Sequence, residues 1–75
     1  MAWIAEAVLR RLALADAADV FSNTELAQLC ALDLRQVDNA VQRLRRHGLI
    51  ERRADGGGGW TLTAAGREAL ANGRG

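Results

Sequence analysis

The chain has 75 residues, 49% of them apolar and 25% charged, with a formal net charge of +1. That length fits one small domain, and the composition is globular rather than disordered. No apolar run approaches the roughly 20 residues that a membrane-spanning helix needs, and the first residues lack a signal-peptide pattern, so a soluble cytoplasmic protein with no membrane partner is expected. One cysteine, Cys30, excludes an internal disulfide and any zinc or iron–sulfur site built from several thiolates; one histidine, His47, excludes a histidine cluster. No cofactor is indicated.

The charge is unevenly placed. Met1 to Asp33 carries a net −3, and the segment after Arg53 is balanced. Between them, Leu34 to Arg53 holds six arginines (35, 43, 45, 46, 52 and 53) against Asp38 and Glu51, a net +4. A single block therefore supplies nearly all of the positive field.

From Ala2 to about Ala15 the chain is rich in alanine and leucine without a breaker, which predicts a first helix. At about 100° per residue, Ile4, Ala5, Val8, Leu9 and Leu12 share one arc, and Trp3 falls outside it. Asp16 to Val20 reads as a connector. Ser22-Asn23-Thr24-Glu25 then fits a capping box, flanked by Phe21 and Leu26 at the spacing of a hydrophobic staple. A short helix follows, with Leu26, Leu29 and Cys30 as its buried side. A second box, Asp33-Leu34-Arg35-Gln36, opens a helix to His47, and Gly48 stands where a left-handed terminating residue is wanted. Two helices joined by about three residues form a helix-turn-helix unit.

The third helix divides by face. Val37, Ala40, Val41 and Leu44 lie on one side, and Arg35, Asn39, Gln42 and Arg46 on the other, with Gln36 and Arg43 on a flank. The outer arc has no acid and consists of side chains able to pair two hydrogen bonds with guanine or adenine edges. Leu49 to Arg53 and Trp60 to Thr63 read as the strands of a β-hairpin around Ala54-Asp55 and four glycines. Thr63 caps a last short helix, Ala64 to about Ala71. The predicted core is Val8, Leu12, Leu26, Leu29, Val37, Val41, Leu44, Leu49 and Leu62.

This order of elements, mainly α with one small hairpin, resembles a winged helix-turn-helix domain. The detail resembles bacterial regulators of the MarR and PadR types. Thr24-Glu25-Leu26-Ala27 is similar to the start of their second helix. Leu44 to Arg52 is similar to their run from recognition helix into wing, and Leu62-Thr63-Ala64-Ala65-Gly66 to the passage from wing into the next helix. The resemblance covers roughly Phe21 to Leu70. It implies double-stranded DNA as partner, with the third helix in the major groove and the wing beside the backbone. Carried over by position, Arg35, Gln36, Asn39 and Arg43 occupy base- or phosphate-facing places, and Arg52 and Arg53 sit at the base of the wing as expected phosphate contacts. Gln42 and Arg46, on the outward face of the third helix, complete the DNA-binding candidates. The tip, Ala54 to Gly59, departs from such families in having no basic residue and an acid, Asp55.

The other polar residues read as structural. Cys30 reads as a small core residue, His47 as a partner of its helix terminus, and Ser22 and Thr63 as caps. The acids offer no paired-carboxylate geometry, and the glycine run lacks the Gly-Lys-Ser/Thr that completes a phosphate loop. A binding protein rather than an enzyme is expected: a small transcriptional regulator of the kind a phage or mobile element encodes. The alternative is a winged-helix protein-interaction or assembly module, favoured by the near-neutral net charge, Asp55 and Trp3. Trp3 on the first helix is the candidate anchor of a homodimer.

Overall fold

Local capping signals place the two central helices. The Ser22 hydroxyl accepts from the Glu25 N–H at 3.1 Å, and the Glu25 carboxylate accepts from the Ser22 N–H at 2.8 Å. This opens α2 at Asn23. The Asp33 N–H donates to the Gln36 side-chain oxygen at 3.0 Å, and α3 begins at Leu34. The computed structural model describes residues 3–15, 19–53 and 58–72. Its elements are α1 (Trp3–Ala13), α2 (Asn23–Cys30), α3 (Leu34–Arg46), β1 (Ile50–Arg53), β2 (Gly59–Leu62) and α4 (Ala64–Asn72). This is the expected mainly helical α+β layout: three helices, a two-stranded antiparallel hairpin and a short last helix.

Both central helices end in the same way. Ala31 stands at φ 56°, its N–H bonded to Gln28 O, while the Leu32 N–H reaches back to Ala27 O at 2.9 Å. Gly48 stands at φ 75°, with its N–H on Arg45 O and the Leu49 N–H on Leu44 O. These paired bonds satisfy carbonyls that a helix terminus otherwise leaves open. They also turn the chain sharply enough for α3 to pack across α2 and for β1 to start two residues after Gly48.

The core joins all the elements. Val8, Leu9, Leu12, Leu26, Val37, Val41, Leu44, Ile50, Trp60 and Leu62 are buried, with Ala5, Ala27 and Ala40 between them. Fully burying one such aliphatic side chain contributes about 1.5–3 kcal/mol, so α3, with Val37, Ala40, Val41 and Leu44 inside, is anchored firmly. Leu49 is partly buried at the edge of this cluster. Leu29, expected inside, is 46% exposed. The inner side of α2 is instead the i, i+3, i+4, i+7 set of Asn23, Leu26, Ala27 and Cys30, from which Leu29 lies about a third of a turn away. Ala27 takes the inner place because α2 lies close to α1, where the Cys30 Sγ reaches the Ala7 carbonyl at 3.9 Å.

In the hairpin, Ile50 pairs with Leu62, Glu51 with Thr61, Arg52 with Trp60 and Arg53 with Gly59. The second strand lies one residue earlier than the expected Trp60 to Thr63. Thr63 is released to accept from the Gly66 N–H at 3.0 Å and to donate to Gly48 O at 2.7 Å, capping α4 as expected. A further pairing was not foreseen: Phe21 and Trp60 exchange both backbone hydrogen bonds, at 3.2 and 2.8 Å. Gly59 permits this approach, since a Cβ there would stand 2.9 Å from Val20 Cβ and 3.1 Å from Phe21 N. Gly66 likewise lets α4 close on the hairpin, where a Cβ would run into Leu49 O and Leu62 Cδ1. The expectations for Ala54 to Gly57, Asp55 included, lie outside the described residues.

Candidate nucleic-acid interface

The inner face of α3 is consumed by the core, which fixes what its other faces present. Arg35, Asn39, Gln42, Arg43, Arg45 and Arg46 are exposed. Arg35, Asn39, Gln42 and Arg46 stand opposite the buried arc, as expected from the helical spacing. Glu6 and Arg10 on α1 form an ion pair within the helix. By contrast, the side chains of Arg35, Arg43, Arg45 and Arg46 hold no ion pair or hydrogen bond among the described residues. These guanidiniums are always charged and keep their donors available.

Four predicted site residues sit differently from that outer arc. Gln36 is half-buried, and its side-chain oxygen is engaged in the cap of its own helix. Gln36 and Arg43 flank a recess that Ile4 and Ala5 of α1 close from the other side. Arg52 does not extend freely from the hairpin. Its guanidinium lies over the Trp60 ring, 4.7 Å from the centroid, and its Nη1 donates to Gly58 O at 3.1 Å. Arg53 is half-buried on the neighbouring position of β1.

On the opposite flank of α3, the hairpin and the start of α2 enclose a cleft of about 690 Å³. Gln42, Arg45, Arg46 and Arg52 border it, so arginines from α3 and from β1 line the same cleft. Among the described residues, the only carboxylate lining it is Asp38. That group accepts from the Asn23 amide Nδ2 at 2.7 Å, and the Asn23 Oδ1 accepts in turn from the Trp60 indole Nε1 at 2.6 Å. Sequence reasoning did not find Arg45, Asn23 or Trp60 as parts of this arrangement. Arg45 was legible by its helical angle, which places it beside Asp38 on this flank. Asn23 and Trp60 are 37 positions apart, and no local signal joins them.

On the far side, Trp3 of α1 is 66% exposed, as its angle predicted. Among the described residues there is no group of three or more metal-ligating side chains, and no helix is long and apolar enough to cross a membrane. No protein-family model matches this sequence, and a search of curated proteins finds no match either.

Proposed function

We propose that this domain binds double-stranded DNA in a sequence-specific way, as a small transcriptional regulator. In this reading α3 enters the major groove and the hairpin lies against the phosphate backbone. The observation that carries it is the outer arc of α3: Arg35, Asn39, Gln42 and Arg46 are exposed and free of acids, with no partner for their donors among the described residues. A helix face that is merely solvated has no need to exclude carboxylates. The winged helix-turn-helix resemblance, to regulators of the MarR and PadR types, adds to this reading.

The test is binding to random duplex DNA over a salt series, followed by selection of preferred sites. If Arg43, Arg46, Arg52 and Arg53 all meet phosphates, log affinity falls with log salt at a slope of about −3.6 per protomer, from about 0.9 per contact. Affinity that hardly changes across a fourfold rise in salt overturns the reading.

The exposure of Trp3 favours a second reading, docking of another protein or a second copy through α1. Sedimentation at high concentration tests it. A monomer unchanged by Trp3→Ala rejects the homodimer.

A further inference from the structure

The hydrogen bonds and ring contact beside the α3 cleft form one unbroken chain. Asp38 on α3 holds Asn23 at the start of α2; Asn23 holds the Trp60 indole on β2; the Trp60 ring carries the Arg52 guanidinium of β1. Trp60 is buried, so its ring is a fixed platform. Arg52 is exposed. An exposed arginine on a short strand ordinarily samples many rotamers, and ordering it on a ligand opposes binding. Here the ring against the guanidinium and the hydrogen bond from Nη1 to Gly58 O hold the planar group in place before any ligand arrives.

The place where it is held is specific. Arg52 borders the same cleft as Arg45 and Arg46 of α3, while Asp38, the only carboxylate lining that cleft among the described residues, is half-buried and engaged by Asn23. Arginines of two elements therefore line one cleft. That chemistry suits a singly charged phosphodiester, whose oxygens accept from the fork of an arginine.

We infer that Trp60 is a positioning residue for Arg52, holding it on the cleft between α3 and the hairpin, where Arg52 grips a backbone phosphate of a bound duplex beside the phosphates met by Arg45 and Arg46. This rests on the DNA-binding reading above. It assigns to Arg45 a phosphate contact, and to the chain of Asp38, Asn23 and Trp60 the fixing of the hairpin arginine relative to the reading helix.

The experiment is a salt series on a random-sequence duplex with wild type, Arg52→Ala, Trp60→Leu and the double variant, with circular dichroism to verify folding. Arg52→Ala is expected to lower the magnitude of the log–log slope by about 0.9, one phosphate contact. Trp60→Leu, which changes no charge, is expected to lower it by a similar amount, and the double variant to lose no more than either. Folded Trp60→Leu with the wild-type slope overturns the inference. A readout on wild type covers the case in which Trp60→Leu does not fold. The Arg52 Nε–H resonance, displaced by the indole ring current, should shift on saturation with duplex, and a resonance that stays in place overturns the inference. Wild type that binds no duplex at low salt overturns the DNA reading and the inference together. Wild type that binds, with an unchanged slope in Arg52→Ala, overturns the inference alone.

Discussion

The Trp60 indole Nε1 and the Asn23 side-chain oxygen lie 2.6 Å apart, joining the hairpin to the first residue of α2. Both functions of the Asn23 amide are used, since its Nδ2 also donates to Asp38 at 2.7 Å. A partly buried polar group left unpaired costs about 1–3 kcal/mol, more than the net gain from making one such bond. Asn23 is thus a joint between α2, α3 and β2 as well as a helix-start residue.

Replacing it tests that role. Asn23→Ala leaves the Trp60 N–H and the Asp38 carboxylate without their partner and should lower unfolding free energy by about 1–3 kcal/mol in urea titrations. Trp60→Phe removes only the N–H and should cost less. In a double-mutant cycle the two losses should fall short of additivity, because each variant breaks the same bond. Full additivity would show that the bond contributes nothing to stability.

A gain is expected at Ala31. Its φ of 56° is left-handed, a conformation that costs an L-residue with a Cβ roughly 1–2 kcal/mol. Glycine removes that strain but raises the entropy of the unfolded chain by about 0.4–1 kcal/mol. The balance favours Ala31→Gly by about 0.5–1 kcal/mol, measured as a raised urea midpoint with unchanged slope. A lowered midpoint would show that the unfolded-chain effect wins.

What the sequence reveals follows the range of the interactions. Ser22 with Glu25, and Asp33 with Gln36, lie three residues apart, so both central helix starts are readable from local chemistry. Gly48 is legible for the same reason. Ala31 is not, because alanine carries no signal for a left-handed conformation. Leu29 misled because it is larger and more apolar than Ala27, whereas close packing of α2 on α1 rewards the smaller residue. At the candidate site, the outer arc of α3 was legible from angle alone. The environment of Arg52 was not, since it depends on strand register and on a ring fixed by Asn23 from another element.

The Cys30 thiol has a pKa pushed above its ordinary value by burial, which the charge of Arg11 partly opposes. The folded chain therefore keeps the thiol proton to higher pH than the unfolded chain does. Below the ordinary thiol pKa the group has no effect on the pH dependence. As pH rises from there toward the folded pKa, the unfolded chain ionises first and stability falls. Alkylation of the native protein should show its midpoint at higher pH than alkylation of the denatured chain, and Cys30→Ala should lose this part of the alkaline decline. Coincident midpoints would remove the effect.

On the DNA-binding reading, Arg35 and Asn39 read sequence whereas Gln36 shapes the helix that reads it. Arg35 and Asn39 lie one helical turn apart on the exposed face of α3, near the end of a recognition helix that usually enters the groove. Arginine pairs with guanine O6 and N7, and asparagine with adenine N6 and N7, each discriminating by about 1–3 kcal/mol. Arg35→Ala and Asn39→Ala should each flatten the preference at one base pair while leaving nonspecific affinity nearly intact. Gln36, though adjacent, has its side-chain oxygen on the Asp33 N–H. Gln36→Ala should therefore lower stability by roughly 0.5–1 kcal/mol, a typical net loss for one such hydrogen bond. Gln36→Glu should restore it, because a carboxylate completes the same cap. Selection from random duplexes distinguishes the two roles. If wild type, Arg35→Ala and Asn39→Ala select the same site, or if Gln36→Glu shifts that site as Asn39→Ala does, this division of labour along α3 is refuted.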